Sequence, residues 1–472
     1  MTVSVWVVVV CGAAALGLAA LLLLGRGANI TRGRYGRLAR LGRLSARLWT
    51  SWLGAKLRRL ITAKHKRAAY DEARRKRDAE AVVQTMGQMK GAIMKFGQML
   101  SFVSDSIPAE YRAALESLQA QAPAMDFALI RDVAERELGM PLERAFARFD
   151  ETPLASASIG QVHRAVLPTG DPVVVKVQYP GVAEAIAADL QNVGVLYRMA
   201  ALFYPALDPK PIVEEIKTRI GDELDYTKEA ANQQTFYDLY EGHPHIRIPK
   251  VYASHSTARV LTTEYVEGRT FAEILDVDQD QRNHYGAVLW HFVFGSIFEH
   301  GVFNGDPHPG NYIFTDGGQV VFLDFGCIKY FPEKMHSEWM GLVRAFMENR
   351  DDDFRAHVVN LGFIKDSSPL SAGLLRKYFG YFYRPVEASG AFAFTRAYTE
   401  QSMEMVFKPQ GEFKGIHTKL NMPPDFVFVN RIQWGVYSIL AELGATWDWR
   451  SIHSEHLYGN KETETQQVAV YS

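Results

Sequence analysis

Asp306, Asn311 and Asp324 lie in two short segments, Asn304-Gly305-Asp306-Pro307-His308-Pro309-Gly310-Asn311 and Leu323-Asp324-Phe325-Gly326, whose residue types and spacing suit phosphoryl transfer from a nucleotide. That chemistry asks little covalent work of a protein. It needs divalent metal held against the phosphates and a carboxylate beside the incoming nucleophile. Asp306 is the candidate for that carboxylate, and Asn311, five residues later, is a candidate metal ligand together with Asp324. Between the two segments, Ile313-Phe314, a Thr315-Asp316-Gly317-Gly318 turn and Val320-Val321-Phe322-Leu323 read as a β-hairpin. Asp306 to Gly310 alone would pass for a Pro/Gly turn. The hairpin and the Asp-Phe-Gly segment attached to it make the set a candidate site.

Those side chains need a second lobe that holds the nucleotide, and residues 155–177 supply its pattern. Ala155-Ser156-Ala157-Ser158-Ile159-Gly160 reads as strand and loop, Gln161 to Val166 as a strand, Pro168-Thr169-Gly170-Asp171 as a turn, and Val173-Val174-Val175-Lys176-Val177 as a β-branched strand. Lys176 stands where an ammonium can reach the α and β phosphates. A lone lysine on an apolar strand is usually a solvated edge residue, and it becomes a candidate here because Asp306, Asn311 and Asp324 accompany it. The loop has one glycine, Gly160, where a phosphate-covering loop usually has several for close backbone approach. Nucleotide geometry and substrate access are therefore expected to differ from a conventional protein kinase.

With these motifs the chain resembles the UbiB, ABC1 or ADCK atypical kinases, also called the AarF family. The resemblance rests on Lys90-Gly91-Ala92-Ile93-Met94-Lys95-Phe96-Gly97-Gln98-Met99-Leu100-Ser101, the Ala-rich loop with Gln161-Val162-His163, Glu223-Leu224-Asp225-Tyr226 followed by Glu229-Ala230, and the Asp306 to Asn311 and Asp324 segments. It runs from about residue 85 to about residue 450. It implies that Lys95 and Gln98 belong to a Lys-x-Gly-Gln motif on an extension packed over the active site, with Lys95 pairing with Glu223 and Asp225. It further implies that Glu229 pairs with Lys176, and that Glu264 to Val266 form the hinge bonding the adenine edge. Such an extension fills the groove of a peptide substrate, so small-molecule or lipid-linked chemistry, or ATP hydrolysis, is expected instead. From the residues alone, Glu214, Glu215, Glu223 or Glu229 could pair with Lys176; the resemblance selects Glu229. Residues 211–241 read as helix, and an inserted helical segment at 182–204 accounts for the long gap between Lys176 and Glu229.

Residues 3–24 carry no charge and, as a helix, would span about 33 Å, enough for a bilayer core. They lack a basic leader and a small-residue cleavage site, so a membrane anchor is expected. Residues 25–77 then hold seventeen Lys or Arg against Asp71 and Glu72, in a chain of net charge −1. Positive residues stay on the cytoplasmic side, which places the kinase body there, or at a mitochondrial inner membrane in a eukaryote. Leu38, Leu41, Leu44 and Leu48 form a stripe beside Arg37, Arg40, Arg43 and Arg47, suited to anionic lipid. A solvated helix or a nucleic-acid arm would show the same charge run. Adjacency to the anchor favours membrane lipids as partners, and no nucleic acid is expected.

At 472 residues and 47% apolar content the chain can bury a two-lobed core. Its two cysteines, Cys11 and Cys327, suggest neither a disulfide framework nor a cysteine zinc site. His163 and His308 have no partner spacing for a metal and are expected to be structural. Tyr285 to His300 and Phe426 to Leu443 read as core helices, because the second holds Asn430, Arg431, Gln433 and Glu442. Linkers are expected near Gln121 to Asp126 and Asp276 to Asp280.

The expected fold is α+β, a two-lobed protein-kinase-like fold with a helical N-terminal extension and an N-terminal transmembrane helix. Its segments would be an anchor over 1–25, a basic amphipathic segment over 26–80, the extension over 81–150, the small lobe over 151–268, the large lobe over 269–453 and a disordered tail over 454–472. The expected activity is a membrane-associated, Mg2+- and ATP-dependent phosphotransferase or ATPase. The resemblance sets it in isoprenoid quinone (ubiquinone-type) biosynthesis or lipid homeostasis, with biosynthetic enzymes or a prenylated lipid precursor as partners. Two alternatives remain: a small-molecule phosphotransferase of the aminoglycoside or choline kinase type, and a non-catalytic ATP-gated scaffold.

Overall fold

The computed structural model describes residues 125–157, 159–184, 186, 221–407, 411–416, 419–421 and 423–459, with isolated positions at 47, 50 and 77. The expected anchor, all but three positions of the basic segment, Lys95 and Gln98, Ser158, most of the 182–204 insertion and the chain after 459 lie outside the described residues. The chain divides into two compact units, Met1–Pro123 with Glu184–Pro205, and Ala124–Ala183 with Ala206–Ser472. Nearly all described residues belong to the second.

The small lobe is an antiparallel sheet of five strands: β1 (Arg148–Phe149), β2 (Ala155–Ser156), β3 (Gly160–Val166), β4 (Pro172–Gln178) and β6 (Val260–Glu264), in the order β1-β3-β4-β6 with β2 also on β3. β4 alternates as its sequence requires, with Val173, Val175 and Val177 fully buried and Val174 and Lys176 on the opposite face. The buried face packs on Ile130, Val133 and Ala134 of α1 (Phe127–Leu138) and on Leu142 and Ala145 of α2 (Leu142–Ala145). α1 is capped by Asp126 and closed by the left-handed Gly139. The described part of the small lobe starts at Met125, whose N–H and carbonyl are both bonded to Gln161. α1, α2 and β1, assigned above to the extension, are part of the small-lobe core.

One helix joins the lobes. α3 (Tyr226–Tyr240) starts at Asp225, whose Oδ1 accepts from Thr227 N and Thr227 Oγ1 at 3.0 and 2.6 Å. The expected helix over 211–241 is thus broken at Asp225, because the Asp carboxylate satisfies a new helix start. β5 (Ile246–Arg247) then runs parallel to β9 (Val320–Phe322), which pairs antiparallel with β8 (Tyr312–Phe314).

The large lobe is built around α5 (Gln279–His300), capped by Asp278 and ended by the left-handed Gly301. Thirteen of its residues are buried, including Trp290, Phe292 and Phe298, so its apolar face belongs to a core. It follows the short α4 (Phe271–Ile274) and leads into β7 (Val302–Asn304), which pairs with β10 (Ile328–Tyr330). Around it stand α6 (Glu333–Met347), α7 (Asp351–Asn360), α8 (Ala372–Glu387), α9 (Arg396–Phe407), α10 (Pro424–Leu443) and α11 (Trp449–Tyr458), with the strand pair β11 (Phe392–Ala393) and β12 (Thr446–Trp447). α11 reaches Tyr458 with Leu457 buried, and Arg344 donates to the Leu457 carbonyl at 2.6 Å. The ordered body therefore extends past residue 454, where a disordered tail was expected. Among the described residues no helix is long and apolar enough to cross a membrane.

Candidate active site

The expected hairpin forms as β8 and β9: Tyr312 faces Phe322, Ile313 faces Val321 and Phe314 faces Val320. Thr315 N donates to the Gln319 carbonyl at 3.0 Å, and Gly318 closes the turn at φ 78. Leu323 N donates to the Asn311 carbonyl at 3.0 Å, so the ladder sets Asn311 beside the start of the Asp324 segment. Asn311 Nδ2 donates to the Asp306 carbonyl and to Asp306 Oδ2 at 3.2 and 3.3 Å. Asn304, not singled out in the sequence, clamps the two segments. Its amide donates to the Asp324 carbonyl, and its Oδ1 accepts from Asp306 N at 3.0 Å. Asp324 Oδ1 accepts from Gly326 N at 2.9 Å, which fixes the carboxylate.

Lys176 and Glu229 meet across 53 residues of sequence, with Nζ donating to both carboxylate oxygens at 2.8 and 2.9 Å. Glu229 is nearly enclosed, its side chain 5% exposed, and that of Lys176 is 20% exposed. The Lys176 ammonium also lies 4.9 Å from the Tyr226 ring centroid. Burial pushes the Glu229 carboxyl up to about 6 against the pull of Lys176, and the Asp324 charge adds to the rise. Burial works against the Lys176 charge, but Glu229 and Asp324 outweigh it and hold the ammonium well above its usual range. Two carboxylates thus share one ammonium.

α3 brings this pair to the Asp-Phe-Gly segment through one helical face. A Cβ on Gly326 would lie 3.7 Å from Glu229 Oε2. Asn232 donates to the Phe325 carbonyl at 3.0 Å, and Phe236 packs on the buried Phe325 ring at 5.1 Å. Positions 229, 232 and 236 share a face at helical spacing. Lys176, Glu229, Asp306, Asn311 and Asp324 therefore form one connected site.

The segment of Ala155, Ser156, Ala157, Ile159 and Gly160 turns β2 back onto β3 as a tight hairpin, with Ala157 N bonded to the Gly160 carbonyl at 2.8 Å. Gly160 is required for packing: a Cβ there would meet the Val177 carbonyl at 2.4 Å and the Tyr226 hydroxyl at 2.9 Å. Glu264 ends β6 and is tied down, its carboxylate bonded to Arg247 and to Lys250 N and its own N–H to the Lys250 carbonyl. Its side chain is thus occupied in holding the segment, and what Glu264 to Val266 can offer an adenine edge is backbone.

Several polar residues are structural. His163 bonds the Asp150 carbonyl through Nδ1 at 2.8 Å and Gln161 through Nε2 at 3.0 Å, while Gln161 also holds both backbone groups of Met125. Burial lowers the His163 pKa, which fits a neutral ring in that role. His308 Nδ1 accepts from Gly310 N at 3.0 Å. Asp225 caps α3, Glu223 lies one turn before it, and their expected partner Lys95 is outside the described residues.

Gly435, in the middle of α10, was not visible as a site residue. A Cβ there would fall 2.3 Å from Pro307 Cγ, so the helix leaves a notch for the loop that carries Asp306. Gly435→Ala is expected to displace that loop at about 1–3 kcal/mol of stability. Turnover should fall several-fold while nucleotide affinity stays near wild type, because Lys176 lies in the other lobe. Turnover equal to wild type in steady-state assays would contradict this.

The pH dependence of the ion pair has a definite sign. Since the folded pKa of Glu229 lies above its ordinary 4.5, the folded chain holds a proton between pH 4.5 and about 6 that the unfolded chain lacks. This group therefore favours folding most at low pH, and its contribution declines as pH rises to about 6. Binding of a nucleotide at Lys176 should run the opposite way, because Glu229 holds the ammonium in place through both oxygens when it is ionised. ADP affinity is expected to drop as pH falls through about 6, and Glu229→Gln should show only the titration of the nucleotide itself. Identical pH profiles for the two proteins would rule this out.

A β-sheet lobe with a buried Lys–Glu pair, joined by α3 to a helical lobe with an Asp/Asn loop and an Asp-Phe-Gly hairpin, defines a protein-kinase-like fold. The ABC1 atypical kinase-like domain matches residues 117–357, just over half of the sequence, and the chain belongs to that family. The chloroplastic protein ACTIVITY OF BC1 COMPLEX KINASE 8 of Arabidopsis thaliana is 34% identical over 63% of this chain and 40% of its own length. The mitochondrial atypical kinase COQ8B of Danio rerio is 32% identical over 57% of this chain and 43% of its own. The chain thus matches less than half the length of these two relatives. The Mycobacterium tuberculosis protein Rv3197, solved as a complex with erythromycin, is 30% identical, with a TM-score of 0.60 over 84% of this chain and 98% of that one.

Proposed function

We propose that this chain is a membrane-associated atypical kinase or ATPase that binds Mg-ATP and serves isoprenoid-quinone biosynthesis or lipid homeostasis. The observation that carries the reading is the enclosed Lys176–Glu229 pair beside Asp324, an arrangement costly to bury and of use where triphosphate charge must be met. Among the described residues no three His, Cys, Asp or Glu gather as a metal cage. Asn311 and Asp324 supply two oxygens, which suits a magnesium ion that takes its other ligands from phosphates and water. Bound there, the ion would neutralise charge developing on the phosphates. Lys176 would orient the α and β phosphates, and Glu229 would hold Lys176 in line. The backbone near Glu264 and Val266 would meet the adenine edge. Asp306, positioned by Asn304 and Asn311, would orient the attacking hydroxyl or water and accept its proton.

The membrane part of the proposal rests on the uncharged run of residues 3–24 and the basic stretch after it. The pathway part rests on membership of the family that includes the mitochondrial and chloroplastic relatives. Lipid extraction from cells lacking the protein tests it. A prenylated precursor should accumulate, and be cleared by the wild-type chain but not by Asp324→Asn. Unchanged quinone and precursor pools would remove the pathway from the proposal.

A further inference from the structure

Tyr226 has no part in the mechanism above, yet it lies at its centre. It opens α3 directly after Asp225, is 1% exposed, and places its ring 4.9 Å from the Lys176 ammonium. Its hydroxyl is buried and, among the described residues, has no hydrogen-bond partner. That oxygen lies 2.9 Å from where a Cβ of Gly160 would stand, so it reaches the last residue of the Ala/Ser loop. A phenylalanine would fill the same space without leaving a polar group dry, so a hydroxyl left unpaired among the described residues asks for a partner beyond them.

We propose that the Tyr226 hydroxyl is a phosphate-recognising donor, without a partner among the described residues and satisfied by a nucleotide phosphate oxygen. The assignment rests on the nucleotide reading of the site. Phosphates seated against the Lys176 ammonium, 4.9 Å from the Tyr226 ring, would bring anionic oxygens to the phenol. Burial raises the phenol pKa even though the nearby Lys176 charge opposes this, so the group keeps its proton and remains a donor. A hydrogen bond to a charged acceptor is worth more than one between neutral groups. The ligand class that should sense Tyr226 is therefore the phosphorylated nucleotide and not the bare nucleoside.

Calorimetric titration of the full chain with Mg-ATP, Mg-ADP and adenosine tests this. Tyr226→Phe is expected to bind both phosphorylated ligands about tenfold or more weakly. Adenosine affinity should be unchanged, and the unfolding midpoint without ligand should equal or exceed that of wild type. Affinities for ATP and ADP within twofold of wild type would overturn the assignment. So would an equal loss for adenosine accompanied by a lower midpoint, which would mark the hydroxyl as structural. Lys176→Met is the companion variant. If it binds ATP as wild type does, the nucleotide reading itself fails and takes Tyr226 with it; if it loses ATP while Tyr226→Phe does not, only the Tyr226 assignment fails.

Discussion

Asp324→Asn should reduce Mg-ATP turnover by about 10²–10³-fold while leaving the fold intact. The substitution keeps an oxygen that can accept from Gly326 N, the bond that fixes residue 324 at 2.9 Å, so the turn before β10 keeps its geometry. It removes the only formal charge that the pair Asn311 and Asp324 brings to a metal, and a magnesium ion bound through one or two carboxylates cannot easily spare it. The loss should appear in hydrolysis assays with and without anionic liposomes, alongside an unfolding midpoint close to wild type. Equal turnover in the two proteins would favour a scaffold whose nucleotide is not consumed.

Lys176→Ala should produce the largest loss of stability. It leaves Glu229, 5% exposed, facing Asp324 without a counter-charge, and breaking a buried pair in this way costs about 3–5 kcal/mol. The loss must depend on pH. Without the ammonium, the Glu229 pKa rises further above the value of about 6 that it has in the intact site, so at pH 5 the carboxyl takes a proton and the repulsion disappears. The difference in unfolding free energy between wild type and variant is therefore expected to be small at pH 5 and to grow as pH rises to 8. Denaturant titrations at the two values measure it directly. A difference independent of pH would mean that Glu229 and Asp324 do not share Lys176.

Much of the site was legible because its residues obey local rules. The hairpin between Asn311 and Asp324 follows from β-branched strands around a Thr-Asp-Gly-Gly turn, and the β4 alternation follows from Val173, Val175 and Val177. Lys176 and Glu229 are different, because four glutamates had equal claims and only tertiary packing chooses among residues 53 positions apart. Asn304, Tyr226 and Gly435 were missed for the same reason. Each acts through a contact with a distant segment, and an Asn in a loop, a Tyr at a helix start or a Gly within a helix carries no periodic signal of it. The boundary at residue 150 was misplaced because α1 looks like any amphipathic helix. What assigns it to the small lobe is Ile130, Val133 and Ala134 against β4. The core character of α5 and α10 was readable, since polar residues interrupt the second and the buried aromatic face of the first needs a partner.

The central claim is that Lys176 of the small lobe and Asn311 and Asp324 of the large one close on a single triphosphate. A crystal structure of the full chain with magnesium and a non-hydrolysable ATP analogue tests it most directly. The expected result is the Lys176 ammonium on the α and β phosphates, with magnesium between the phosphates and the side chains of Asn311 and Asp324. Nucleotide bound elsewhere, or metal held without residues 311 and 324, would contradict the claim.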